Sequence, residues 1–354
     1  LIRAFRLRDV GLVVRLQKEG VLLDLETCLI YPRSPLATAI FSSLPLSGAG
    51  ASTYIVNHKE ENSRILGLAQ MRRRPGRPEH VVVFIAPALK LGNGAHAAWQ
   101  RLLAHLCVKA GEQGGQRLYA GLPADGEEYQ IFRHVGFTAY AQEDVFELKT
   151  PASGLKEVEP LPTRRQRSRD SWGLQQLYAT VTPRAVQNVE GSAQTQWELS
   201  RRGWWGSYPH RQGFVWEGQG EIWAAFQIRS SRAGHWLRTL LHPDALDQAD
   251  GLIAAALLRV RRAPGQHVYC AVRTYEAGMP SALAAWGFQL MGSQTLAVKH
   301  TTVRAREPAS QTVHGLEGHA ESATPSAVPQ SKALLTNHKR RNGRHHRGDL
   351  TALL

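Results

Sequence analysis

Val81-Val82-Val83-Phe84-Ile85-Ala86-Pro87-Ala88-Leu89-Lys90-Leu91-Gly92-Asn93-Gly94-Ala95 is the stretch whose reading decides the fold. Val81–Ile85 is a continuous apolar run, the pattern of a central strand covered on both faces. Pro87 ends it, and Gly92 and Gly94 allow a tight turn. Directly after the turn, Ala98, Trp99, Leu102, Leu103, Leu106, Cys107 and Ala110 recur at three- and four-residue spacing, so they line one face of a long helix ended by Gly114-Gly115. Strand, glycine turn and helix start present free N–H groups and a partial positive charge at one point, a geometry suited to a pyrophosphate. No acidic side chain lies between His80 and Gln100, and Lys90 adds a positive charge.

Upstream, Ile2–Leu7 reads as a short strand, Asp9 as an N-cap and Val10–Lys18 as a helix. Residues 21–50 hold short helical pieces interrupted by Pro32, Pro35 and Pro45, and Thr53–Asn57 and Arg64–Met71 read as strands. Downstream come a strand at Leu118–Leu122, a short helix at Asp125–Val135 stopped by Gly136, and closing strands at Phe137–Tyr140 and Val145–Lys149. Pro151–Arg169, rich in Pro, Ser and Arg, reads as a linker.

The order then starts again. A helix is expected at Trp172–Ala179 and strands at Gly213–Trp216, Ile222–Ile228 and His235–Leu241. An amphipathic helix follows through Leu252, Ile253, Ala256, Leu257 and Val260, then a strand at His267–Val272, a short helix at Ser281–Trp286 and a strand at Leu296–Lys299. Leu241-His242-Pro243 answers Ile85-Ala86-Pro87, and Gly287-Phe288 answers Gly136-Phe137. No counterpart of the strand Ile2–Leu7 is evident in the second half. A repeat of this length indicates two similar domains, expected at 1–150 and 171–303, joined by a linker at 151–170. From 304 to 354 the chain is polar, with a basic end at Lys339–Arg347, and is expected to be disordered.

The 354 residues carry a net charge of +14, to which the part from Thr301 contributes eight Lys/Arg against four Asp/Glu. Basic clusters at Arg72–Arg74 with Arg77, at Arg164–Arg169 and at Arg259–Arg262 admit nucleic acid or another polyanion as a partner, with a solvated surface as the plainer alternative. No run approaches 18 apolar residues, so no transmembrane helix is expected, and the first six residues are too charged for a signal peptide. Cys28, Cys107 and Cys270 are odd in number and far apart, so neither a disulfide framework nor a metal site is expected, in keeping with the cytoplasm.

The order of apolar strand, Pro, basic loop with small residues, long helix, strand, short helix and Gly-Phe resembles the GCN5-related N-acetyltransferase superfamily. Phe84–Pro87, Lys90–Ala95, Tyr129–Phe137 and Glu143–Leu148 carry the resemblance. It implies a mixed α/β sheet and two tandem acyl-CoA N-acyltransferase-like domains, the second degenerate. It implies a protein that transfers an acetyl group from acetyl-CoA to an amine, with no metal. By the resemblance, Lys90, Leu91, Gly92, Asn93, Gly94 and Ala95 would hold the pyrophosphate, and Phe84, Ile85 and Ala86 would pair with the pantetheine arm. The loop departs from the family pattern, with Asn93 or Leu89 in an unusual place depending on the register. The family's acidic Tyr is replaced by Phe132, which leaves Tyr129 one turn earlier as the acid and Glu79 or His80 as the base. In the second half, Asp244, Asp247 and Asp250 occupy the loop and Leu283 the Tyr place, which indicates a scaffold or substrate-shaping role. Seven aromatic residues of that half, Trp197, Trp204, Trp205, Tyr208, Trp216, Trp223 and Trp236, are read either as core and interface or as the lining of a cleft. The rival reading is a non-catalytic CoA-binding or interaction protein.

Overall fold

In the computed structural model, strands from both halves of the sequence join in one mixed sheet. The residues described are 2–43, 50–59, 64–74, 76–92, 94–124, 126–149, 158–192, 196–197, 210–260 and 266–301. The disorder expected for 304–354 therefore lies outside the described residues, as do Trp204, Trp205 and Tyr208.

The first half comprises β1 (Ile2–Ala4), α1 (Val10–Leu16), β2 (Val21–Leu22), α2 (Leu25–Ile30), α3 (Pro35–Ser42), β3 (Ala51–Lys59), β4 (Arg64–Arg73), β5 (Glu79–Ala86), α4 (Ala95–Glu112), β6 (Arg117–Pro123), α5 (Glu128–His134) and β7 (Thr138–Leu148). The second comprises β8 (Arg164–Arg165), α6 (Ser171–Val181), α7 (Arg184–Glu190), β9 (His210–Gly218), β10 (Glu221–Ser230), β11 (Gly234–Leu241), α8 (Ala249–Arg259), β12 (His267–Arg273), α9 (Met279–Ala285) and β13 (Gln289–His300). The expected strand, turn and long helix are all present: β5 is buried on both faces, and the apolar stripe of α4 from Ala98 to Ala110 is buried throughout.

The sheet order is β1-β3-β4-β5-β6-β13-β7-β12-β11-β10-β9-β8. Each half has therefore placed its last strand inside the other: β13 lies between β6 and β7, and β7 lies between β13 and β12. The second helix after each first strand crosses over as well. Ile30 of α2 packs with Trp236 and Tyr269 of the second half, and Glu26 pairs with Arg229. Val189 of α7 packs with Tyr119, whose hydroxyl donates to the Val189 carbonyl at 2.8 Å.

Three expectations are corrected here. The two closing strands read at Phe137–Tyr140 and Val145–Lys149 are one strand, β7. Its polar middle is accommodated because buried Glu143 binds Arg273 at 2.8 Å and accepts from Gln294 Nε2 at 2.6 Å. Asp9 does not cap α1 with its side chain. Its carboxylate takes both guanidinium nitrogens of Arg3 at 2.6 Å and the Arg6 N–H at 2.8 Å. The missing counterpart of the first strand is β8, inside the segment read as linker. There Asp170 takes Arg164 at 2.8 Å through both nitrogens and the Arg167 N–H at 2.6 Å. Arg3-x-x-Arg6-x-x-Asp9 and Arg164-x-x-Arg167-x-x-Asp170 are thus one repeated clasp that ties the first strand of each half to its first helix.

Candidate functional site

β5 and β6 run parallel but share a ladder only at Glu79–Arg117, His80–Leu118 and Val81–Tyr119. Beyond that they part. The register of β4 against β5 shifts between Gln70–Phe84 and Met71–Val82, which makes Val83 a bulge at the point of parting. The loop that follows β5 turns at Gly92 and Gly94, with φ of +66° and +79°, a backbone that other residues adopt only under strain. It delivers the chain into the N-terminus of α4. Trp99 Nε1 donates to the Pro87 carbonyl at 2.6 Å and fixes the helix to the loop. Lys90, Leu91, Gly92 and Gly94 are exposed at this mouth and Ala95 is buried beneath it; Asn93 lies outside the described residues. Phe84, Ile85 and Ala86 form the buried wall of the fork.

The fork itself is filled by the protein's own chain. β2 pairs with β5, Val21 opposite Ile85 and Leu22 opposite Phe84. Leu23 N–H donates to the Val83 carbonyl at 3.0 Å, and the Leu23 carbonyl accepts from Gly121 of β6 at 3.0 Å. Ala88 N–H donates to the Glu19 carbonyl at 2.5 Å. The Leu23 side chain is 1% exposed and joins the core beneath α4 and α5. Gly20 is required for this seating, because a Cβ there would lie 2.1 Å from the buried Phe84 ring and 2.9 Å from Ala86 Cβ. Asp24 pins the far end, accepting from Arg72 at 2.5 Å and from the Thr27 N–H at 3.3 Å. The sequence offered one signal for this, a Val-Leu-Leu run after Gly20, which reads equally well as part of a helix.

The structure places Glu79 and His80 away from the loop, while Tyr129 packs against the core that holds Leu89, Ala95 and Trp99. Glu79 and His80 begin β5, and at about 3.3 Å per residue they lie roughly 20 Å from Ala86. Glu79 is buried in an ion cluster with Arg74 at 3.1 Å, Arg77 at 3.7 Å and Arg117 at 3.8 Å. His80 Nε2 meets Gln113 Oε1 at 3.0 Å, and burial lowers its pKa. The Tyr129 hydroxyl accepts from the Ala139 N–H at 3.3 Å, at the start of β7. Phe132 is fully buried against Trp99 and Phe137, as its apolar ring requires.

The second half shows the converse arrangement. β11 and β12 share a ladder from Gly234–His267 to Arg238–Ala271 and then part. No bulge interrupts β10 against β11. Between the strand ends lies a cavity of ≈ 70 Å³ lined by Thr239, Leu241, Leu246, Tyr275, Glu276 and Met279, among others. Its loop begins a helix with Asp244, Asp247 and Asp250, and Asp250 accepts from Trp286 Nε1 at 3.0 Å. Negative charge at that helix start disfavours a pyrophosphate. Leu283 is core. Of the expected cleft aromatics, Trp197 and Trp236 are fully buried, while Trp216 and Trp223 pack against the second core.

An ion network joins the halves beside this second fork. Arg273 binds Glu143 through Nε and Glu190 of α7 through Nη2, both at 2.8 Å. Burial alone would raise the Glu190 carboxyl, but Arg273, Arg238 and Arg74 outweigh it and hold it below its ordinary value. Burial pushes the Glu276 carboxyl up to about 7, against the Arg273 N–H that it accepts at 2.9 Å and the charges of Arg273 and Arg238.

Among the described residues, no group of three His, Cys, Asp or Glu could hold a metal, and no helix is long and apolar enough to cross a membrane. No family model matches the chain, and no curated protein matches it. Solved structures do resemble it. A GCN5-related N-acetyltransferase from Sphaerobacter thermophilus is 14% identical, with 86% of this chain and 96% of that one covered at a TM-score of 0.45. A tandem protein of the same kind from the clavulanic acid biosynthesis pathway is 17% identical over 86% and 99%, at 0.47. A functionally unknown conserved protein from Staphylococcus epidermidis is 11% identical over 70% and 94%, at 0.47. All three TM-scores lie below 0.5, so the tandem α/β arrangement of this protein stands on its own strand pairing, with GCN5-related N-acetyltransferases among the structures it resembles.

Proposed function

We propose that the protein is an N-acetyltransferase-like protein that binds acetyl-CoA at the β5–α4 junction and passes its acetyl group to an amine. The observation that carries this reading is the parting of β5 from β6 after Val81 and Tyr119, on the strand that leads to the turn at Gly92 and Gly94 and the N-terminus of α4. Phosphates at that turn would meet backbone N–H groups, the positive end of the helix and Lys90. Glu79 and His80 belong to the opposite end of β5, and they are not assigned a part in the chemistry. Transfer would rest on holding thioester and amine together, which by itself supplies much of the rate. Three free cysteines agree with a reducing compartment such as the cytoplasm.

A specific observation favours a second reading, a non-catalytic CoA-binding or interaction protein. Phe132 offers no proton, and Val21–Leu23 fills the fork where the pantetheine arm would pair. Calorimetric titration of acetyl-CoA into the full chain, with single-turnover acetylation of a panel of amines, separates the two. Heat together with acetyl transfer supports the first reading, and heat without transfer the second. No heat at all removes both. If acetyl-CoA binds, Gly94→Asp should abolish binding, and retention of affinity would show that the loop is not the phosphate site.

A further inference from the structure

We infer that the cavity between the ends of β11 and β12 is a binding site for a short primary alkylammonium, held by the Glu276 carboxylate and the Thr239 hydroxyl. The space lies where β11 and β12 part after Arg238 and Ala271. In the first half Leu23, which directly precedes the N-cap of α2, fills the fork with its side chain. In the second half the residue in the matching place, Thr182 before the N-cap of α7, does not line the space. The walls are Val181, Leu241, Leu246 and Met279, which suit an alkyl chain. A space of ≈ 70 Å³ suits a short chain.

Thr239, Tyr275 and Glu276 line this space with polar side chains, and burial pushes the Tyr275 hydroxyl up to about 12, so it stays neutral between pH 6 and pH 8. The Thr239 side chain is 3% exposed, and its hydroxyl has no hydrogen-bond partner among the described residues. A buried hydroxyl left so is costly, and a ligand able to bond it removes the cost. Glu276 accepts one backbone N–H, from Arg273, and no side-chain cation is bonded to it among the described residues. The charged groups that act on it are Arg273, Arg238 and Glu143. Arg273 is already shared between Glu143 and Glu190, so it compensates Glu276 weakly. Arg238 acts on it without a bond, so the carboxylate has no bonded side-chain cation among the described residues. An ammonium offers three donors to two acceptors and bonds the carboxylate directly, whereas a carboxylate ligand would be repelled. A hard metal ion would want several oxygen ligands where one carboxylate is present.

The experiment is calorimetric titration of the full chain with n-propylamine hydrochloride, 1-propanol, sodium propionate and n-hexylamine hydrochloride at pH 8 and pH 6. Propylammonium should bind at pH 8 at least tenfold more tightly than propanol, and propionate and hexylammonium should not bind. Because Glu276 takes up a proton as the pH falls through about 7, propylammonium affinity should drop about tenfold from pH 8 to pH 6. Glu276→Gln keeps the shape and should lose that preference for ammonium over propanol. Thr239→Val should weaken binding several-fold without changing the pH profile. Equal affinity for propanol and propylammonium, full affinity in Glu276→Gln, or no propylammonium binding at pH 8 would each overturn the assignment. Propylammonium titrations involve no CoA, so their outcome is independent of the acetyl-CoA reading.

Discussion

Leu23→Ala measures how firmly the first fork is closed. Leu23 is 1% exposed, and its side chain lies in the core formed by β5, α4 and α5. Truncation removes three buried carbons, worth roughly 2 kcal/mol in transfer free energy. The fork is framed by two strands and two helices that cannot close on the gap, so an unrelaxed cavity adds about another 1 kcal/mol, giving about 3 kcal/mol in all. Leu22, its neighbour in the two-residue strand β2, is 47% exposed, and Leu22→Ala should cost no more than about 0.5 kcal/mol. Both variants keep the backbone bonds of Leu23 to Val83 and Gly121, so the contrast isolates the side chain. Urea unfolding of the full chain, followed by tryptophan fluorescence, gives the shift in midpoint at constant slope. A Leu23→Ala cost below about 1 kcal/mol, or equal costs at the two positions, would show that β2 lies loosely over the fork instead of filling it.

Arg273→Met should destabilise by about 3–5 kcal/mol, because it leaves Glu143 and Glu190 buried without their shared cation; the same urea assay reads it, and adding Glu143→Gln should recover part of the loss. Asp9 is held below its ordinary pKa by the Arg3 hydrogen bond, so its contribution is complete above about pH 4 and lost as pH falls further; the cost of Asp9→Asn should shrink between pH 5 and pH 2. Glu276 has the opposite sign. Its carboxyl is raised to about 7 in the folded protein against about 4.3 in the unfolded chain, so stability falls as pH rises through that window. Thermal unfolding should therefore show Glu276→Gln more stable than the parent at pH 8 and equal to it near pH 4.

The apolar run at Val81–Ile85, the stripe along α4 and the paired Pro and Gly-Phe landmarks determined the α/β order of each half by themselves. Such patterns are local, and periodicity reads them directly. The clasp of Arg3, Arg6 and Asp9 was also present in the sequence, repeated at Arg164, Arg167 and Asp170. It was hidden because charged residues so spaced look like a solvated surface until the guanidinium is seen to meet the carboxylate. Only the tertiary structure decided that β7 and β13 exchange places, since strand order depends on contacts between residues about 150 apart and not on the pattern within either strand. It alone also decided the contrast between the forks. Whether a gap between two strands is filled turns on a side chain from elsewhere, as Leu23 shows in the first half. The sequence marks that residue only as the one before the cap of a short helix.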